Sequence, residues 1–178
     1  MELIRLDNVM ATLEEYAQQV RNTYQDNLIN NDRISSGKLL NSVEYQVVHN
    51  GIEYEVQLTL ESYWKYLEYG IQGKDENFDR PFNHTTWGAY QHILDWVKVK
   101  PVLPRPGKNG KLPTPKSLAG AITASIIKSG IKPGNELQDA IDKVNAVYKD
   151  KLVIAIQKDM DTLLKVMVGE IQGKRPEY

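Results

Sequence analysis

The chain reads as an α+β protein: a small antiparallel sheet built around one hairpin, flanked by amphipathic helices, with a protruding Pro- and Gly-rich basic loop. Three observations predict that class. Leu3, Leu6, Met10, Leu13, Ala17, Val20 and Tyr24 recur at alternating spacings of three and four, which lines one side of a helix. Val43, Tyr45 and Val47, then Ile52, Tyr54, Val56, Leu58 and Leu60, alternate with polar residues on either side of Asn50-Gly51, the period of paired strands. Four prolines and two glycines crowd residues 101 to 113, which no helix or central strand tolerates.

The 178 residues, 41% apolar and 25% charged, suit one soluble domain, taken as 1–172, followed by a loose tail at 173–178. Cysteine is absent, so disulfides and thiolate chemistry are excluded, in keeping with a reducing compartment. Met1-Glu2-Leu3-Ile4-Arg5 lacks a charged lead before an apolar run, and no window reaches the roughly 18 apolar residues of a membrane span, so the product is expected to stay in the cytoplasm. Charge is segregated. Residues 1–95 carry seven basic and fifteen acidic side chains, whereas 96–135 carry eight basic ones and no acid. Such complementary patches suit subunits that pack front to back, and a basic segment alone also fits a nucleic-acid contact.

After the opening helix, the polar run Asn30-Asn31-Asp32-Arg33 breaks the pattern, and Ser35 or Ser36 is placed to cap a short turn bearing Leu39 and Leu40. In the hairpin, Asn-Gly favours a two-residue type I′ turn, which pairs Val47 with Tyr54, Tyr45 with Val56 and Val43 with Leu58. Tyr63, Tyr66 and Leu67 then define a short helix ending at Gly70, with Glu68 off that stripe. A second helix over about Thr86–Val99, with Trp87, Tyr90, Leu94 and Val97 on one side, is expected to lie on the sheet. The loop arm of about 100–116 turns at Asn109-Gly110. Thr114-Pro115 starts a helix through Leu118, Ala119, Ile122 and Ile126 to Gly130, and a final helix carries Leu137, Ile141, Val144, Tyr148 and Leu152.

A first stretch runs Gly37-Lys38-Leu39, Ser42-Val43, the hairpin, then Tyr63, Tyr66-Leu67-Glu68-Tyr69-Gly70, and continues to Arg80-Pro81-Phe82; in this order and spacing it resembles the neck proteins of tailed bacteriophages. The second is a Trp96 helix, a Pro/Gly loop, Leu118-Ala119 with Ile122 and Ile126, and Gly130-Ile131-Lys132-Pro133, as in one branch of neck and tail-completion proteins. The resemblance covers about residues 1–165; the long second loop and extended last helix depart from the smallest members of that family. It implies a structural virion protein that forms a homo-oligomeric ring, a hexamer or dodecamer, joining the portal side of the capsid to the tail. Its partners are then the adjacent head-completion or portal and tail proteins, with passive contact to genomic DNA in the lumen and none with membrane. Glu68 becomes a structural or intersubunit contact in that reading, and a surface carboxylate otherwise. Lys98, Lys100, Arg105, Lys108, Lys111 and Lys116 are the expected contacts of the arm.

No spacing nominates a catalytic centre or a cofactor site. His84 and His92 lack a cysteine or acid at zinc-ligand spacing, and His49 sits beside the hairpin turn. No acid is followed two residues later by lysine, as a common nuclease motif requires, and neither a phosphate-cradling glycine loop nor a Gly-x-Ser-x-Gly turn occurs. Asp75, Glu76 and Asp79 form an acidic loop read as solvated. The rival to assembly is a cytoplasmic nucleic-acid-binding protein using the basic segment 98–132; an enzyme of unrecognised type is the other.

Overall fold

The computed structural model describes residues 6–34, 36–50, 53–75, 80–82, 89–100, 104–106 and 110–173, with side chains through Val168. Among them it is a mostly helical α+β protein of six helices and one two-stranded antiparallel hairpin: α1 (Asp7–Asn30), α2 (Lys38–Ser42), β1 (Glu44–His49), β2 (Tyr54–Thr59), α3 (Trp64–Tyr69), α4 (Tyr90–Val99), α5 (Pro115–Ser129) and α6 (Glu136–Gly173). The chain forms two compact units, each drawn from separated stretches. No helix among the described residues is long and apolar enough to cross a membrane.

The first unit holds α1 up to Tyr24, the hairpin, and α6 from Asp139 onward. Its core uses the predicted α1 stripe: Ala17, Val20 and Tyr24 are buried, as is Val9 at its start, while Met10 and Leu13 are half-buried. From α6, Ala140, Val144 and Ala155 are buried. The hairpin packs against α1, whose approach is fixed where the Leu6 N–H donates to the Tyr54 hydroxyl at 2.7 Å. Its register corrects the expected one by two residues: Tyr45 pairs with Leu58, Val47 with Val56 and His49 with Tyr54. A slip of two keeps every side chain on its face, so the alternation survives it. The Asn50 side chain accepts the Glu53 N–H at 2.9 Å, which closes a connection longer than Asn-Gly alone; Gly51 and Ile52 lie outside the described residues.

The second unit comprises Gln25–Val43 and Leu60–Gln138. Here Leu28 and Leu39 are buried, and α4 packs on α5, so its apolar side meets a helix where the sequence predicted the sheet. The start expected at Thr86 and Trp87 lies outside the described residues. Helix α5 matches its prediction. Thr114 Oγ1 accepts the Ser117 N–H at 3.2 Å, Pro115 occupies the first turn, and Gly130 at φ 66° ends the helix. Gly37 at φ 74° holds the cap position of α2, and the adjoining Ser36 Oγ accepts the Lys38 N–H at the start of that helix at 3.5 Å; Ser35 lies outside the described residues.

Candidate functional site

Apart from the hairpin, the residues of the first resemblance, from Gly37 to Phe82, lie in the second unit, and their polar atoms go largely to the main chain. The Leu39 N–H donates to the Tyr63 hydroxyl at 2.9 Å. Ser42 Oγ donates to the Leu39 carbonyl at 3.0 Å and accepts the Glu61 N–H at 3.0 Å, so one hydroxyl ties α2 to the segment entering α3.

Glu68 is the centre of the cluster. It is 4% exposed, and its two oxygens accept the N–H groups of Leu137 and Gln138, each at 2.9 Å. Those are the second and third residues of α6, whose first-turn N–H groups have no partner within the helix and carry its positive dipole end. Glu68 is therefore a buried helix cap supplied from about 70 residues away, which corrects the surface-carboxylate reading. The stripe on α3 is only partly covered: Tyr63 and Tyr66 are each 37% exposed and Leu67 is half-buried, while Glu68 is the residue that meets the start of α6.

Around this cap the main chain is laced to itself. Ile71 and Ile131 exchange both N–H···O bonds, at 2.9 and 2.7 Å, and the Gly134 N–H donates to the Leu67 carbonyl at 2.8 Å. Gly70 allows that approach: at φ 72°, a Cβ built there would stand 2.4 Å from the Ile131 carbonyl oxygen. Arg80 donates to the Ile71 carbonyl at 3.3 Å and also to the Ile131 carbonyl, spanning the bridge. The Gln72 N–H donates to the Phe82 carbonyl at 2.7 Å, which holds the Arg80-Pro81-Phe82 turn. The Phe82 ring then lies edge-on to Tyr66, with centroids 4.8 Å apart, and Lys65 stands 5.6 Å from both rings. Arg33 and the buried Glu136, the first residue of α6, add an ion pair at 2.7 Å.

The cleft beside Leu39 and Tyr63 amounts to about 10 Å³, at most room for one water. A cleft of about 210 Å³ in the first unit, lined by Leu13, Tyr16, Tyr148 and Leu152 among others, is smaller than the usual ligand site of roughly 300 Å³ or more. Tyr16 donates to the Asn145 side-chain oxygen at its rim, and burial, then the Asp142 charge, push its phenol up from the ordinary value.

The predicted arm contacts are dispersed. Lys98 pairs with Asp95 at 3.0 Å, and Lys100 with Asp32 at 3.1 Å while also donating to the Asp32 carbonyl, which anchors the start of the arm. Arg105, Lys111 and Lys116 are exposed, and Lys108 lies outside the described residues. Lys128 stands 3.8 Å from Asp75. Asp79, Glu76, Asn109 and His84 also lie outside the described residues.

Sequence reasoning missed Asp159, which is 6% exposed on α6. One of its oxygens accepts the Asn8 N–H at 3.1 Å and the Asn8 side-chain amide; the other accepts the Val9 N–H at 2.9 Å. It caps α1 as Glu68 caps α6. Comparison with protein-family models, curated proteins and solved structures finds no match to this chain.

Proposed function

We propose that this chain is a non-enzymatic virion component, a neck or tail-completion protein that joins the portal side of a phage capsid to its tail. Its work is assembly. Copies pack into a ring of six or twelve whose lumen passes the genome, and exposed loops dock on the rings above and below. The observation that carries this reading is the ordered set Gly37, Leu39, Ser42, Tyr63, Tyr66, Glu68, Gly70, Arg80, Pro81 and Phe82, which resembles the family pattern in composition, order and spacing. The use of those residues supports it: hydroxyl, carboxylate and guanidinium go to backbone groups and brace a surface rather than converge on a cavity.

The stretch between α4 and α5 is the arm of this reading. Arg105, Pro106, Lys111 and Leu112 are exposed, the last to 65%, and no regular element is present at 104–106 or 110–114. Proline keeps such a segment extended and limits the entropy lost on docking. Its positive charge matches acidic surface on an adjacent subunit or ring.

The nucleic-acid reading keeps one specific observation in its favour, eight basic residues and no acid over 96–135. It is weakened by the partners of three of them, since Asp95, Asp32 and Asp75 stand within 4 Å of Lys98, Lys100 and Lys128. Inactivating the coding sequence in a producing phage tests assembly: unjoined heads and tails are expected, and joined infectious particles would overturn it. Oligonucleotide binding that falls steeply with salt, alongside normal particles, would favour the rival.

A further inference from the structure

Helix α3 carries a row of aromatic rings at its surface. Tyr63, Tyr66 and Tyr69 are 37%, 37% and 48% exposed, and their spacing of three residues sets them along one inclined ridge of the helix. Phe82 lies against two of them, its centroid 4.8 Å from Tyr66 and 6.4 Å from Tyr69. The Tyr63 ring is held in place by the Leu39 N–H on its hydroxyl. Clefts between fixed, partly exposed rings are the surface on which proline-rich segments dock, because a polyproline II helix is already extended before it binds and loses little entropy there.

The matching segment is in the same chain. Pro101-Val102-Leu103-Pro104-Arg105-Pro106 sets two prolines three residues apart, the spacing that a polyproline II helix places on one side at a separation of about 9 Å. Among the described residues, Arg105, Pro106 and all three tyrosines are exposed, so the arm does not cover the row of its own chain. We propose that the Pro101–Pro106 run of one copy docks as a polyproline II helix on the α3 aromatic row of the next copy, with Arg105 beside the partner's Glu61.

Charge selects both the direction and the occupant. Glu61 is exposed at the Tyr63 end of the row. Burial pushes the Tyr63 phenol up from its ordinary value, the Leu39 N–H opposes this, and the Glu61 charge adds to it, which sets that carboxylate beside the ring. The other end is basic: Lys65 stands 5.6 Å from the Tyr66 and Phe82 centroids, and Lys132 is exposed next to Gly70. Arg105 follows Pro104 directly, so Pro104 lies toward Tyr63 and Pro101 toward Tyr69; the reverse direction would carry Arg105 to the lysines. Lys100, just ahead of the run, is already paired with Asp32. Glu61 also repels the phosphates of a nucleic acid stacked on the same rings.

The two surfaces differ, so the contact is head-to-tail and repeats from copy to copy until it closes as a ring or continues as a filament. A six-residue run makes a small contact, and ring closure offsets that by making the last contact intramolecular. The inference names what the arm binds and rests on the reading of the chain as a ring-forming assembly protein.

Full-length chains with one defect each provide the test. In sedimentation the unmodified chain should form larger species as concentration rises. Tyr66→Ala should lack the acceptor, and Pro101→Ala with Pro104→Ala the ligand; each alone should stay monomeric with unchanged circular dichroism, while their equimolar mixture should form one-to-one dimers that grow no further. A peptide of residues 100–108 should bind the unmodified chain, about tenfold more weakly after Tyr66→Ala and about threefold more weakly after Glu61→Lys, and a peptide carrying Arg105→Glu should prefer Glu61→Lys. Oligomers that persist in Tyr66→Ala, or peptide binding indifferent to both changes on α3, would overturn this contact and leave ring formation standing. A chain that stays monomeric and binds no peptide would overturn both. Oligonucleotide binding abolished by Tyr66→Ala, with no peptide bound, would overturn the contact in favour of nucleic acid.

Discussion

The two compact units solve one problem with the same device and differ in how deeply they embed it. In each, a buried carboxylate from a distant part of the chain accepts the N–H groups of the second and third residues of a long helix: Glu68 for α6, Asp159 for α1. Around Glu68 the chain adds the Ile71–Ile131 bridge, the Arg80 contacts and the Gly134 bond, so the cap is one strand of a mesh. Around Asp159 the supporting polar contacts include the Asn8 side chain and, two residues earlier, the Leu6 bond to Tyr54. A cap inside a mesh ties several segments together, and its loss is felt by all of them. A cap on the flank of a single helix secures one terminus.

Glu68→Ala should therefore be the most damaging change. It strands two N–H groups that have charged partners, one of them on the buried Leu137, and should cost about 3–5 kcal/mol in urea unfolding. A loss no greater than that at Asp159 would show that the mesh adds nothing. Asp159→Asn keeps the shape and weakens the cap, and should cost about 1–2 kcal/mol in the same assay.

Acid offers a second test of the Asp159 cap. Burial pushes the Asp159 carboxyl up, but the Asn8 side-chain amide and the Val9 and Asn8 N–H donors outweigh it and hold the group below its ordinary value. A carboxylate depressed in the folded state contributes stability that is present above the unfolded value, about 3.9, and is lost as pH falls through the folded value. Asp159→Asn should accordingly flatten the fall in stability below about pH 4. An unchanged acid slope would mean that Asp159 is not ionised where it caps.

How much of this was legible follows from how local each signal is. Helix α5 is announced by Thr114, Pro115 and Gly130 within its own sequence, and it starts and stops at those residues. The hairpin is half legible. Alternation placed β1 and β2 and the shared face of Tyr45, Val47, Val56 and Leu58, but a two-residue slip leaves alternation intact, and the Asn50–Glu53 hydrogen bond decided the register. Glu68 stands out in the sequence only as part of a pattern, and its burial is not legible there, because a carboxylate off an apolar stripe looks solvated until a helix end arrives from elsewhere in the chain. Asp159 offered no signal at all. It is one of several acids on a long charged helix, and only the approach of the start of α1, about 150 residues distant, gives it a role.

The smallest effect on stability is expected where neither cap nor mesh is involved. Reversing Arg105 and Lys111 to Glu should shift the unfolding midpoint by less than about 0.5 kcal/mol equivalent, while phage carrying the pair of changes should accumulate separate heads and tails. Loss of folding would place the arm inside the mesh.

Locating the chain in intact particles tests the assembly reading most directly. Cryo-electron microscopy of purified virions should show a ring of six or twelve copies between portal and tail, with residues 104–114 reaching an acidic surface on a neighbouring subunit or ring. Infectious particles that contain no copy of the chain would contradict it.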